Sequence, residues 1–237
     1  MIEDILCNKN VLITGATGGI GKSLCCLLVQ HRCNVFITGR NEEKLRMMKN
    51  ELGSRCMGYK VADFQHVSSI ASLIADANNV MGNIDILINS AGVFQVRSIN
   101  DSTLEVFDEC FNVNIRAPFL LSAAFADNMK YHKWGRIVNI GSSSAYAGFE
   151  NTSIYCASKH ALLGLSRSFH AELKKYGVRV FSISPGSVQT DMGKQVVGQD
   201  YATFINPDEF AKFIVHAISY NDNMIAEEIK INRMIMQ

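Results

Sequence analysis

Short runs of β-branched and apolar residues alternate with longer amphipathic segments along the whole chain, and no other feature restricts the possible folds as much. VLIT precedes a helical pattern from about Ile20 to His31, NVFIT precedes Glu42 to Leu52, and CMGYKVA precedes Val67 to Val80. The alternation continues through IDILIN, RIVNIG and VRVFSIS and closes with EEIKI. Strands separated by helices run parallel, because each helical crossover returns the chain to the same edge of the sheet. Continuously apolar strands are buried on both faces. The expected architecture is therefore α/β, a doubly wound parallel sheet of about seven strands with helices on both faces.

A chain of 237 residues without an internal repeat, low-complexity tract or linker is expected to form one domain, residues 1–237. The formal net charge of +1 offers no global attraction to nucleic acid or to an anionic membrane. Apolar runs such as Val11 to Ile13 and Ile86 to Ile88 are far shorter than the ~20 residues of a membrane helix. The acidic start MIED lacks the basic flank of a signal peptide. The seven cysteines form no CxxC pair and read as buried thiols of a reducing compartment. A cytoplasmic protein without nucleic-acid or membrane partners is expected. Trp134, the six histidines and Glu227-Glu228 sit at no catalytic or metal-ligating spacing, so the chemistry is expected to be metal-independent.

Between the first strand and first helix lies TGATGGIG. In a doubly wound sheet this turn faces the ligand-binding edge, and the helix after it offers free N–H groups to an anion. Gly15 would permit the sharp turn, Gly19 the approach of a pyrophosphate, and Gly21 close packing of helix on strand. Further on, Tyr155 and Lys159 form YxxxK on an apolar-periodic helix where Ile154, Ala161, Leu162, Leu165 and Phe169 can face the core. An i, i+4 pair shares one face. The helix itself therefore holds a phenol beside an ammonium, and the cation is expected to lower the phenol's pKa.

TGATGGIG, NSAG (Asn89 to Gly92), FNVNI around Asn114, IVNIGS ending at Ser142, YCASK and SPGSVQTDM stand in the order and spacing of one known family. Over nearly its whole length the chain resembles the short-chain dehydrogenase/reductases, including their 3-oxoacyl-acyl-carrier-protein reductase-like members. The resemblance implies a Rossmann-type fold and hydride transfer between a nicotinamide cofactor and a carbonyl or alcohol. It implies Tyr155 as proton donor, Lys159 as its cationic partner and ribose ligand, Ser142 as holder of the carbonyl oxygen, and Asn114 as support for a water linked to Lys159. Ser143 and Ser144 are neighbouring rivals, and Ser142 is preferred for its place directly after NIG.

For the cofactor, the resemblance implies Gly15, Thr17, Gly19, Ile20 and Gly21 around the pyrophosphate, with Asp63 at the adenine and Asn89, Ala91 and Gly92 on the adenosine side. Tyr155, Lys159, Pro185, Gly186, Val188 and Thr190 would lie at the nicotinamide end. The second strand ends without a carboxylate and Arg40 follows it, an arrangement suited to clamping a 2′-phosphate. NADP(H) is favoured over NAD(H).

Three departures qualify the resemblance. Ser90 stands where NNAG has its second asparagine; the stretch from Gly186 to Ile205 is a candidate substrate lid, but its part between TDM and the helix opening at Asn206-Pro207-Asp208 is short for the acyl-carrier reductases; and EEIKINRMIMQ lacks their glycine-rich tail. The leading expectation is an NADPH-dependent carbonyl reductase, with a 3-oxoacyl thioester as the single best substrate. Alternatives are an enzyme of a small polar ketone, sugar or hydroxy acid, and a non-catalytic NADP(H)-sensing protein. A homotetramer is implied, with a dimer left open by the tail.

Overall fold

A computed structural model describes residues 5–234, so the MIED segment and the last three residues lie outside the described residues. Among the described residues there are seven strands: β1 (Asn10–Thr14), β2 (Asn34–Gly39), β3 (Cys56–Val61), β4 (Ile86–Asn89), β5 (Gly135–Ile140), β6 (Val178–Pro185) and β7 (Glu228–Ile231). They form one parallel sheet in the order β3-β2-β1-β4-β5-β6-β7. After β1 the chain builds outward through β2 and β3, then crosses back to place β4 on the other side of β1. A crevice opens at such a reversal, beyond the carboxyl ends of the strands.

The helices are α1 (Gly19–Gln30), α2 (Glu42–Leu52), α3 (Val67–Met81), α4 (Leu104–Phe111), α5 (Ala117–Tyr131), α6 (Ser153–Leu173) and α7 (Pro207–Ser219). Side chains of the strands alternate between two cores. Val11 and Ile13 pack with residues of α1, α2 and α7, whereas Leu12 packs with α3 and α5. Each fully buried aliphatic chain contributes about 1.5–3 kcal/mol. This double burial is what the absence of polar alternation demanded.

Local chemistry sets the helix starts. Asn41 caps α2 by accepting the Lys44 N–H at 2.9 Å, and Asn206 caps α7 by accepting that of Asp208 at 2.7 Å. Between α4 and α5 the helix widens into a π-helical turn, Asn112–Arg116, a local defect frequent at functional sites. Nothing in the sequence pattern indicated it.

The face of α6 differs from expectation. Leu162 is buried, but Ile154, Ala161, Leu165 and Phe169 are only partly so; the helix also buries Tyr155, Cys156, Ser158, Lys159, Leu163 and Ser166. The polar residues win the inner face because each has a partner there: Ser166 Oγ, for example, accepts from Asn139 Nδ2 at 2.9 Å and donates to the Leu162 carbonyl at 2.7 Å. The half-covered apolar stripe then continues onto α5, where Phe119 stacks on Phe169.

Candidate active site

A cleft of 670 Å³ opens at the sheet reversal, within the range of small-ligand sites. Gly15, Thr17, Gly19, Ile20, Gly21, Arg40, Asp63, Ala91, Gly92, Ser142, Tyr155, Lys159, Pro185, Gly186, Val188 and Thr190 all line it. The fold thus brings together residues spread over nearly the whole chain. Asn89 and Asn114 lie behind the wall.

At one end is the glycine turn. Gly15 has φ +64°, and a Cβ there would come within 2.8 Å of the Ala91 backbone. A Cβ on Gly21 would strike the Gly15 carbonyl oxygen, so the start of α1 seats directly on the turn. Gly19 instead abuts the root of the 186–205 loop, since a Cβ there would meet Thr190 Cγ2 at 2.7 Å. Gly18 gives α1 no side-chain cap, and the first turn of that helix carries no acidic residue. Its leading N–H groups therefore face the cleft without a side-chain acceptor, which fits a pyrophosphate.

Thr14, which the sequence reading passed over, joins this turn to the next loop. Its hydroxyl accepts from the Ser90 and Ala91 N–H groups, both at 3.0 Å. Asn89 points away from the cleft, donating to Asn139 Oδ1 at 2.8 Å inside the sheet. The register pairs these two asparagines across β4 and β5. At the outer end, Arg40 is exposed, and no salt bridge to it is found among the described residues. Thr17 lies alongside, for a Cβ on neighbouring Gly39 would sit 3.2 Å from Thr17 Oγ1.

At the inner end Tyr155 is 8% exposed and Lys159 5%. Lys159 Nζ lies 5.7 Å from the centre of the Tyr155 ring and donates to the Ile140 carbonyl at 2.9 Å. This buried ammonium has no carboxylate partner among the described residues, and its remaining donors suit ribose hydroxyls. Phe94 meets the Tyr155 ring edge-on at 4.7 Å and screens it from water.

The expected electrostatics are corrected by burial. Desolvation pushes the Tyr155 phenol up to about 12, with a hydrogen bond from Ser142 opposing it, and pushes Lys159 down to about 8. Burial disfavours the charged form of each group, and at Tyr155 it outweighs the hydrogen bond of Ser142, so the phenol is raised rather than lowered. Among the three serines, Ser142 is the one whose hydroxyl acts on Tyr155. It also accepts the Ser144 N–H at 3.1 Å, which orients it.

Asn114, on the π-helical turn, is 1% exposed. Its Oδ1 accepts the Val93 N–H at 2.9 Å, while Nδ2 donates to the Val93 carbonyl at 3.1 Å and to Ser158 Oγ at 3.0 Å. Ser158 in turn donates to the Tyr155 carbonyl at 2.7 Å. The amide therefore clamps the loop after β4 to the helix that carries the phenol. Two residues on, Arg116 Nη2 donates to the Gln65 carbonyl at 2.7 Å and anchors the segment just after Asp63.

The comparisons agree with this geometry. Residues 9–200 match the family model described as short chain dehydrogenase. An uncharacterized oxidoreductase of Staphylococcus aureus (strain USA300) is 30% identical over 227 residues, which cover 96% of this chain and 98% of that protein. A solved short chain dehydrogenase/reductase family protein superposes with a TM-score of 0.86 at 30% identity, covering 96% of this chain and 97% of the other. A metagenomic short-chain oxidoreductase solved in complex with NADP has a TM-score of 0.83 at 28% identity, covering 97% of this chain and all of that one. Among the described residues, no helix is long and apolar enough to cross a membrane. With the reversed parallel sheet, the glycine turn and the buried Tyr155–Lys159 pair in one cleft, the chain belongs to the short chain dehydrogenase family of nicotinamide-dependent oxidoreductases.

Proposed function

We propose that this protein is an NADP(H)-dependent carbonyl reductase, acting as one domain, that interconverts a ketone and a secondary alcohol, with a 3-oxoacyl thioester as substrate. The observation that carries this reading is the buried Tyr155–Lys159 pair beside Ser142, at the far end of a cleft that begins at an uncapped helix start. The cofactor, when bound, supplies hydride to the carbonyl carbon. Ser142 holds the carbonyl oxygen, and Tyr155 delivers the proton that the developing alkoxide needs. Lys159 keeps positive charge beside the phenolate left behind. Asn114, its side chain committed to Val93 and Ser158, holds the geometry, and a proton-supplying water near Lys159 would use main-chain carbonyls of the π-helical turn.

The two shifted groups set a pH dependence. With its pKa near 12, Tyr155 stays protonated throughout the working range, whereas Lys159 loses its charge as pH rises through about 8. For ketone reduction, kcat/KM, which reports the free enzyme, is expected to be flat below that value and to fall tenfold per pH unit well above it. A profile flat to pH 10 would remove Lys159 from this role.

Arg40 supports the phosphorylated cofactor. A charge-assisted contact of a guanidinium with phosphate is worth about 1.5–3 kcal/mol. NADPH is expected to raise the melting temperature more than NADH does, and Arg40→Ala to weaken NADPH binding by at least about tenfold while leaving NADH unchanged. Equal shifts of the wild-type protein with both cofactors would refute this assignment.

The substrate end of the cleft is walled by Phe94, Val96, Phe149, Val196 and Val197, with Phe149 52% and Val197 88% exposed. An apolar mouth around a polar centre suits a carbonyl carrying a hydrocarbon chain better than a sugar. Wild-type NADPH oxidation against acyl thioesters, diketones, keto acids and keto sugars tests this choice. Preference for a keto sugar would overturn the acyl assignment, and turnover of none would favour a sensing role. The apolar stripe of α5 and α6, continued by exposed Phe107 and Leu104 on α4, supports a homo-oligomer built on these helices.

A further inference from the structure

The two family departures noted above, the short loop and the unusual tail, meet in one contact. β7 pairs Ile231 with Pro185, and the Ile231 carbonyl accepts the Gly186 N–H at 2.8 Å, so the chain leaving β7 emerges beside the root of the 186–205 loop. Two residues later, Arg233 reaches across that loop. Its Nη1 donates to Thr203 Oγ1 at 2.7 Å and its Nη2 to Gln199 Oε1 at 2.9 Å, while the guanidinium lies 5.1 Å from the centre of the Phe204 ring. Gln199 Oε1 also accepts from Ser187 Oγ at 3.2 Å. The planar fork thus ties the middle of the loop to both its ends.

Other hydrogen bonds of the loop lie nearer its base: Gln189 Nε2 donates to the Ala202 carbonyl at 3.2 Å and the Gly193 N–H to Thr190 Oγ1 at 3.0 Å. Its base is closed by a bridge between Val188 and Ile205, with hydrogen bonds of 2.9 Å from Gln189 N–H to the Ile205 carbonyl and from Ile205 N–H to that of Ser187. Between these points lie two short 3-10 turns, Gly193–Gln195 and Tyr201–Thr203, and the exposed segment that carries Val196 and Val197. Those two valines form the outer wall of the substrate mouth, and Gln199 lines the same cleft. Arg233 has no carboxylate partner among the described residues, and the side-chain oxygens that accept from it both belong to the loop.

We infer that Arg233 is a positioning residue that latches the 186–205 loop over the cleft and so sets the valine wall against which the chain of the substrate packs. It touches no reacting atom; it acts through Gln199 and Thr203. The wall matters to a long apolar substrate and little to a short one, so the latch is a device of chain-length selection. This selection rests on the carbonyl-reductase reading, whereas the latch itself does not.

Arg233→Gln, Arg233→Lys and Thr203→Val separate the two. Loss of the fork is expected to speed amide hydrogen exchange of residues 193–203 roughly tenfold, with exchange in the sheet unchanged. In the kinetic arm, KM for a long-chain 3-oxoacyl thioester rises roughly tenfold while kcat/KM for a short diketone stays within a factor of about two. Arg233→Lys, which keeps the charge without the fork, falls between wild type and Arg233→Gln, and Thr203→Val shows the same selective pattern at smaller size. Unchanged exchange of the loop in Arg233→Gln would overturn the latch whatever the substrate. Equal loss on long and short substrates would overturn chain-length selection. If wild type reduces no carbonyl compound, the function proposal fails, and the exchange arm still decides the latch.

Discussion

Tyr155→Phe is expected to reduce ketone turnover by about three orders of magnitude, within the range that a positioned general acid supplies, and to leave NADPH binding intact. The change removes one oxygen from a side chain that is 8% exposed, and keeps the ring that packs edge-on against Phe94. Lys159 is held by the Ile140 carbonyl rather than by the phenol, so its donors stay in place for the ribose. The variant separates binding from chemistry. A thermal shift with NADPH equal to that of wild type, together with lost turnover, is the expected pair of results. Turnover within tenfold of wild type would exclude Tyr155 as the proton donor.

The largest expected loss of stability lies at the amino ends of the strands, opposite the cleft. Arg136, the second residue of β5, is fully buried and has no carboxylate partner among the described residues. Its guanidinium donates to the carbonyls of Ile218 at 3.1 Å, Tyr220 at 3.1 Å and Gly135 at 2.9 Å, and to Asn221 Oδ1 at 3.0 Å. It also lies 4.3 Å from the centre of the Trp134 ring, which Lys9 covers at 3.9 Å. Burial pulls its pKa down to about 9, yet it closes the carboxyl end of α7, where unpaired carbonyls concentrate negative potential.

Arg136→Met keeps much of the volume and strands those carbonyls. Each buried acceptor left unpaired costs about 1–3 kcal/mol, so a net loss of roughly 3 kcal/mol and a melting temperature lower by roughly 10 °C are expected. Arg136→Lys, with a point charge in place of a fork, recovers part of the loss. A change of less than about 2 °C in the methionine variant would contradict this anchoring role.

Fold and site were legible in the sequence to different depths, for physical reasons. The parallel sheet could be read because burial on both faces removes polar residues from strands, a pattern visible in VLIT and VRVFSIS without any partner. The cleft-lining residues could be read because their motifs sit at strand ends, where the sheet reversal gathers them. Arg136 escaped notice, since an arginine within a strand signals exposure unless the carbonyls that neutralise it are known, and these lie about 80 residues away. The Asn89–Asn139–Ser166 chain escaped for the same reason: each residue alone suggests a turn, and only the register makes them partners. The sign of the Tyr155 shift depended on depth of burial, which i, i+4 spacing does not specify. The contact of Arg233 with Gln199 and Thr203 joins the tail to the loop through the pairing of β7 with β6.

Hydride transfer to a carbonyl carbon in the cleft that holds Tyr155 and Lys159 leaves an isotopic trace in the product. The most direct measurement is incubation of the protein with NADPH carrying deuterium at the transferable position, together with a 3-oxoacyl thioester, followed by mass spectrometry of the product. The expected product is a 3-hydroxyacyl thioester with one deuterium on the carbinol carbon, formed by wild type and not by Tyr155→Phe. Unlabelled product, or labelled product formed equally by both proteins, would contradict it.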